Sequence, residues 1–232
     1  MTGFFSWNGE RSTDYGVYVS VPPALTLPLE KTVFTDVPGR SGSLTTLQGD
    51  EVYDDITMTV ECFVGSGENI ATIGKWLKGN GELTFGNRPG GHYKAKVVNQ
   101  IRFEQILRGN PHQSFAINFR CKPFFYIEGQ SEIVLEESGG IIENVHAVHS
   151  TPTLTVVGTG DITLIVGLYV VELEGVDGSI TIDSETMSVY KGADFFSEKM
   201  TGAFPRLDTG VTAISWVGDV SQVVVKPNWR TL

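Results

Sequence analysis

The sequence has few cysteines, no cluster of basic residues and no long apolar run. Its 232 residues contain two cysteines, Cys62 and Cys121, and both lie in strand-like segments. No basic segment followed by an apolar stretch stands at the N-terminus, so we expect a protein that folds in the cytoplasm. In that reducing compartment we expect two buried free thiols and not a disulfide. No apolar stretch is long enough to span a bilayer, so we expect no membrane association.

Basic residues are scarce in one half of the chain only. The formal net charge is −10. Residues 1–130 carry 12 Lys and Arg against 13 Asp and Glu, whereas residues 131–232 carry 5 against 14. Nucleic acid is not an expected partner, because phosphate binding needs clustered Lys and Arg. The acidic second half indicates either an outward-facing soluble module or an ordinary solvated surface.

Helical periodicity is confined to one place, which begins at Ile70. The stretch 73–85 then contains the end of the predicted helix, a turn and a strand. The apolar residues at helical spacing are Ile70, Ile73, Trp76 and Leu77. Gly79-Asn80-Gly81 then provides a stop, and Leu83 and Phe85 alternate as strand residues do. The pattern predicts one short helix that packs on a sheet and turns tightly into a strand.

The rest of the first half is typical of β-structure. Asn8-Gly9 predicts a tight hairpin turn, and residues 14–21 alternate like a strand. Pro22 to Pro28 should be extended and irregular, because prolines lack the amide donor and restrict the preceding residue. The glycine-rich segment Pro38 to Leu44 is predicted to be a turn between strands. It lacks the lysine and the following helix of a phosphate-binding loop. Residues 56–64 alternate with period 2, which predicts a strand with its even-numbered side chains buried.

Short Val, Ile and Thr segments recur between glycines in the second half. About seven strands are predicted, at 153–157, 161–166, 170–173, 179–182, 187–190, 211–216 and 220–227. Asp177-Gly178 is predicted to be a turn. This spacing is typical of an antiparallel sandwich. We therefore predict a mainly β, two-domain protein: residues 1–130 form a β-sandwich or sheet with one short α-helix, and residues 131–232 form a second β-sandwich.

The chain lacks the residue spacing that catalysis or metal binding would need. His146 and His149 form a pair, but a zinc ion needs two further ligands and no others are near in sequence. Ser41 and Ser43 lack the strand-to-helix elbow of a hydrolase. Four carboxylates are candidates for glycoside hydrolysis, but such residues are far commoner in turns: Asp183, Glu185, Asp194 and Asp208. We expect no enzyme activity, no metal and no cofactor.

Aromatic residues in the second half have two interpretations. They could form a platform on which sugar rings stack, or they could belong to the core. The residues concerned are Tyr169, Tyr190, Phe195, Phe196, Trp216 and Trp229. For a saccharide site we single out Tyr190, Phe195 and Trp216.

A series of short motifs resembles the distal tail protein (Dit) family of long, non-contractile-tailed phages and prophages. In the first half the motifs are Phe5-x-Trp7-Asn8-Gly9, Asp14-Tyr15-Gly16-Val17, Val37-Pro38-Gly39-Arg40-Ser41-Gly42-Ser43-Leu44, Trp76-Leu77-x-Gly79-x-Gly81-x-Leu83-x-Phe85, Tyr93-x-Ala95 and Phe119-x-Cys121-x-Pro123-Phe124-x-Tyr126. In the second half they are Pro152-x-Leu154-x-Val156-x-Gly158-x-Gly160, Ile182-Asp183, Gly202-x-Phe204-Pro205 and Lys226-Pro227-x-Trp229-Arg230.

The resemblance implies a structural protein of the virion, located at the tail tip. Members of this family form a hexameric ring through the N-terminal domain, with an arm that reaches a neighbouring subunit. The ring joins the tail tube to a tail-associated, Tal-type protein, and the galectin-like C-terminal domain anchors receptor-binding proteins in some phages. On this resemblance we expect interface residues at Pro22, Pro28, Pro38, Gly39 and Arg40. The alternative function is host-surface carbohydrate binding by the C-terminal sandwich.

Overall fold

The chain folds into two compact units. The computed structural model describes residues 3–65, 70–105 and 113–232. Unit 1 comprises Met1–Glu128 with Leu232, and unit 2 comprises Gly129–Thr231. Within the described residues the chain is mainly β, with one α-helix and two short 3₁₀ helices at Ser12–Tyr15 and Ser197–Lys199. The predicted fold class is confirmed.

Unit 1 is built on one antiparallel sheet. Its elements are β1 (Phe5–Trp7), β2 (Glu10–Arg11), β3 (Val17–Val21), β4 (Thr32–Thr35), β5 (Leu44–Leu47), β6 (Ile56–Val64), α1 (Ile70–Trp76), β7 (Asn80–Phe85), β8 (Arg88–Val97), β9 (Glu104–Gln105) and β10 (Gln113–Ile127). The main sheet has the strand order β2-β1-β7-β8-β10-β6-β3, and β9 also pairs with β10. Strands β4 and β5 pair only with each other, as a separate hairpin among the described strands.

The main sheet closes around its own core. Gly3, just before β1, exchanges two backbone hydrogen bonds with Val19 of β3, at 3.3 and 2.9 Å. These bonds join β3, at one end of the strand order, to the segment before β1, which is next to the other end, so one face of the sheet is enclosed. The Asn8-Gly9 hairpin forms as predicted, with both residues at positive φ, 54° and 82°, as its two-residue turn requires. Asp14 and Tyr15 were wrongly predicted as strand, since they lie in the 3₁₀ helix that ends at Gly16 (φ 66°).

Helix α1 covers the core of unit 1 as predicted. Trp76 stacks on Tyr15 and on Phe5, with ring centroids 4.4 and 5.4 Å apart. Ile73 and Leu77 are also buried, whereas Ile70 is exposed. The helix ends at Trp76, and Gly79 takes a φ of 94° before β7 begins. A helix of seven residues depends on such packing, because isolated helices this short are unstable in water.

Unit 2 is a sandwich made from one hydrogen-bonded sheet. The eight strands of this sheet are β11 (Ile133–Leu135), β12 (Gly140–Asn144), β13 (Thr153–Val166), β14 (Tyr169–Asp183), β15 (Ser188–Lys191), β16 (Asp194–Phe195), β17 (Met200–Gly202) and β18 (Gly210–Lys226). The short strand β19 (Arg230–Thr231) is not part of it. The strand order is β11-β18-β13-β14-β15-β16, with β12 on β18 and β17 on β14. Side chains from both halves of the long strands share one core, so the two halves face each other.

Three long strands replace six of the predicted short ones. Strands β13, β14 and β18 each continue through a glycine-containing bend, and the turn predicted at Asp177-Gly178 is instead paired within the β13–β14 ladder. Glycine permits the bend because the backbones approach closely: a Cβ on Gly158 would lie 2.3 Å from the Asp219 carbonyl oxygen. The glycines therefore mark bends and bulges in continuous strands and not strand ends.

The stacking of Trp76 predicts a large destabilisation when the ring is removed. Trp76→Ala should lower the free energy of unfolding of unit 1 by about 3–5 kcal/mol, since it leaves a cavity between Phe5 and Tyr15. Urea denaturation of the full chain, followed by circular dichroism, measures the change. Phe195→Ala is the control, because Phe195 is 71% exposed and its loss should change stability by less than about 0.5 kcal/mol. Wild-type stability of Trp76→Ala would contradict this packing.

The two cysteines are free, buried thiols, as predicted. Burial raises the pKa of both Cys62 and Cys121 to about 12. A raised pKa keeps the thiol protonated, and the thiolate is the reactive form. At pH 8 neither cysteine should therefore react with a thiol-specific reagent in the native protein, and both should react after denaturation. Rapid labelling of either cysteine in the folded chain at pH 8 would show that its burial is incomplete.

Candidate functional site: the arm of residues 22–55

Residues 22–55 form a segment without a core of its own, which we call the arm. It leaves the main sheet after β3 and returns at β6. None of its residues is buried. In a chain whose two units otherwise have well-formed cores, this long uncovered segment is the first candidate for an interaction site.

The sequence dictates an extended arm that ends in a hairpin. Residues 22–29 have no regular structure, as the prolines predicted, and Pro22 and Pro28 lie in this stretch. Glu30 then bridges to Tyr53, and β4 pairs with β5 beyond it. The Tyr53 ring packs edge-on against Phe124 of unit 1, with centroids 5.8 Å apart. The base of the arm is therefore attached to unit 1, and the hairpin lies beyond this attachment.

The predicted interface residues Pro38, Gly39 and Arg40 lie at the tip of the hairpin. The Arg40 amide donates to the Val37 carbonyl at 3.1 Å, which closes a turn with Pro38 and Gly39 at its centre. Gly39 has a φ of 79°, so the proline–glycine order suits a type II turn. The Ser43 hydroxyl donates to the Asp36 carboxylate at 2.6 Å. These bonds fix the tip and leave Arg40 exposed.

Exposed apolar side chains are the feature of the arm that the sequence interpretation missed. They are Leu25, Leu27, Leu29, Val33, Phe34, Val37, Leu44, Leu47 and Val52. In the hairpin, Phe34 and Leu47 lie on one face, while Val33 and Leu44 lie on the other. An isolated two-stranded hairpin is only marginally stable in water, and this one covers neither face. Leucines at every second position from Leu25 to Leu29 were the available sequence signal.

Carboxylates gather at the base of the arm. The pKa of the Tyr53 hydroxyl is raised, first by burial and then by the negative charges of Glu51, Glu30 and Asp50. Each of these three carboxylates therefore lies close enough to the Tyr53 hydroxyl to interact with it electrostatically. The arm as a whole carries six acidic residues against two basic ones.

The structure brings together two of the three residues predicted to stack on saccharide. Tyr190 of β15 pairs with Phe195 of β16, and their ring centroids are 6.4 Å apart. Trp216 lies elsewhere, opposite Leu164 in the β13–β18 ladder, and packs partly buried against the core of unit 2. Beside the first pair, a small cavity of about 180 Å³ is lined by Lys191, Lys199 and Phe196 among others.

The other candidates for chemistry have structural explanations. The His146 ring packs on Trp229 with centroids 5.7 Å apart, and the His149 carbonyl accepts a bond from Arg230. The Asp183 carboxylate accepts amide bonds from the turn that follows β14. Across residues 3–65, 70–105 and 113–232, no group of three or more His, Cys, Asp or Glu is placed to hold a metal ion, and no helix could cross a membrane.

Two solved phage proteins have the same fold as this chain. One is SPP1 Dit, whose crystal structure is described as a paradigm of the hub adsorption apparatus in phages that infect Gram-positive bacteria. It is 13% identical, with a TM-score of 0.72 over 97% of this chain and 99% of that chain. The other is a chain from the structure of the phage p2 baseplate in its activated conformation with Sr. It is 8% identical, with a TM-score of 0.54 over 97% of this chain and 97% of that chain. No family model and no curated protein matches the sequence. The chain has the fold of a phage distal tail (Dit) protein.

Proposed function

We propose that this chain, with its distal tail protein fold, is the structural hub of a phage or prophage tail tip and acts by assembly, not catalysis. Six copies form a ring through unit 1. The ring joins the tail tube to a tail-associated, Tal-type protein and anchors peripheral receptor-binding components. The protein is synthesised in the bacterial cytoplasm and is then incorporated into the virion. The observation that carries this proposal is the arm, whose apolar residues are uncovered in a single copy.

The arm supplies the contact that a ring needs. A ring requires a heterologous contact, in which one surface of a copy binds a different surface of the next. Residues such as Phe34 and Leu47 gain about 1.5–3 kcal/mol each on full burial. Pro22 and Pro28 keep residues 22–29 of the arm extended, so docking of the arm loses less conformational entropy. At the tip, Pro38 and Gly39 present Arg40 to a carboxylate of the neighbouring copy.

The distribution of charge suits the same arrangement. Residues 1–130 are nearly neutral, with 12 basic against 13 acidic residues, so six copies can approach one another without strong repulsion. Residues 131–232 carry 5 basic against 14 acidic residues. That half faces outward in the proposed ring, where its charge keeps the particle soluble.

The apolar face of the hairpin gives a direct test of the ring. The double variant Phe34→Ser with Leu47→Ser should weaken association of the full chain by about a hundredfold or more, because two anchor side chains lose their burial. Native mass spectrometry and sedimentation velocity measure the ratio of ring to the 25.3 kDa monomer.

The matched control removes equally exposed apolar side chains outside the arm. Leu168→Ser with Met187→Ser alters two residues of unit 2 that are 92% and 70% exposed, and the ring should persist. If the wild-type chain stays monomeric at high concentration, or if the arm and control variants assemble equally well, the proposed hub loses its support.

A second function, binding of a host-surface saccharide by unit 2, is favoured by one arrangement. Tyr190 and Phe195 lie side by side, with Phe195 largely exposed. Lys191 and Lys199 line the neighbouring cavity. Aromatic rings stack on sugar faces, while the ammonium groups provide donors for sugar oxygens. In this second proposal Trp216 supports the core and does not contact the sugar.

A glycan array with the full-length chain tests the second function. Specific binding should appear on bacterial surface glycans and should fall about tenfold or more in Phe195→Ala, which loses one stacking face. Leu168→Ala, an equally exposed change in the same unit, should leave binding intact. If the wild-type chain binds no glycan on the array, or if Phe195→Ala binds as well as wild type, the saccharide-binding function is wrong.

A further inference from the structure

A groove with a cationic lining crosses the outer surface of unit 1. It has a volume of about 580 Å³ and runs over β7, β8 and β10. In β8 and β10 the core receives Tyr93, Ala95, Phe119 and Cys121. The residues between them therefore point outward, because side chains alternate along a strand. The charged residues of the lining are Asp55, Glu82, Lys94, Lys96, Arg120 and Lys122.

The cations of the groove are only partly matched by its own carboxylates. Lys94 lies opposite Glu82, and the Arg120 guanidinium bonds Asp55 at 2.8 Å. Lys96 lies directly opposite Arg120 in the β8–β10 ladder. Like charges in that position repel each other. Among the described residues neither Lys96 nor Lys122 makes an ion pair, and both are exposed. The groove therefore favours an anionic occupant.

The arm of the same protein has the complementary charge. Asp55, at the end of the arm, already lines the groove and pairs with Arg120. The other residues of the arm, 22–54, carry two basic and five acidic residues, a net charge of −3. The rest of residues 1–128 carries ten basic and eight acidic residues, a net charge of +2. Burial is the main cause of the raised pKa of the Tyr53 hydroxyl, and the nearby carboxylates of Glu51, Glu30 and Asp50 raise it further. The chain thus has an acidic cluster on its arm and a cationic groove on its body.

We propose that the groove formed by β7, β8 and β10 receives the acidic base of the arm of a second copy. Each copy then offers one arm and one groove, and this contact is heterologous, as a closed ring requires. The lysine stems supply apolar walls to the groove, while their ammonium groups meet the carboxylates. This inference rests on the proposed ring and names the surface that accepts the arm.

A charge-swap experiment on the full-length chain tests the pairing. The groove variant carries Lys96→Glu and Lys122→Glu, and the arm variant carries Glu30→Lys and Asp50→Lys. Each variant alone should associate about tenfold or more weakly than wild type, because the docking charges now repel. Mixed in equal amounts, the two variants should assemble again, since each arm can meet a groove of opposite charge in an alternating ring. Native mass spectrometry distinguishes the mixed ring, and thermal melts check that both variants fold.

The matched control reverses two lysines outside the groove. Lys75→Glu with Lys78→Glu makes the same change in net charge, at exposed positions on and just after α1, and should leave assembly unchanged. A wild-type chain that forms no ring overturns the proposed hub. A wild-type ring that survives the groove variant overturns the groove inference and leaves the hub standing. Two defective variants that do not restore each other on mixing overturn the arm as the occupant.

Discussion

In a single copy of the chain, the arm leaves hydrophobic side chains exposed to water, and the proposed ring depends on this exposure. From residue 20 to residue 55 nothing is buried, although this stretch contains leucines, valines and a phenylalanine. Hydrogen bonds and turn residues give the arm a defined shape, yet they supply no core. A hairpin with two uncovered faces gains stability only when another surface covers it. In the proposed ring, the neighbouring copy provides that surface.

The rest of unit 1 holds the base of the arm in place. Its sheet is closed by the Gly3–Val19 bridge and filled by the aromatic cluster around Phe5, Trp76 and Phe119. A closed sheet has few open edges, so backbone pairing is largely used up within the main sheet. What remains for assembly is the arm, whose strands β4 and β5 pair only with each other among the described strands, and the side chains of the outer surface. The proposed ring uses the exposed apolar residues of the hairpin, and the proposed docking uses the opposite charges of the arm base and the groove, so both proposals rely on the arm.

Periodicity and turn chemistry in the sequence predicted much of the fold. Helix α1, the Asn8-Gly9 hairpin, the alternation of β6 and the mainly β class all follow from local patterns. Local patterns failed where tertiary pairing decides the outcome. The glycines of unit 2 look like strand ends, and only the close approach of Gly158 to Asp219 shows that the ladder continues through a bend. Tyr15 was wrongly assigned to a strand because the left-handed Gly16 ends a 3₁₀ helix there.

The candidate site was harder to predict than the fold. Pro38, Gly39 and Arg40 could be identified because proline and glycine mark a turn, but the exposure of Phe34 and Leu47 could not, since apolar residues in a strand normally predict burial. The groove depends on strands distant in sequence, which bring Lys96 opposite Arg120.

The most direct test of the central claim is an electron cryo-microscopy reconstruction of the assembled full-length protein. We expect a closed ring of six copies in which the β4–β5 hairpin of each arm lies on the body of the next copy. A ring whose arms stay on their own subunits, or particles that remain single copies at high concentration, would contradict it.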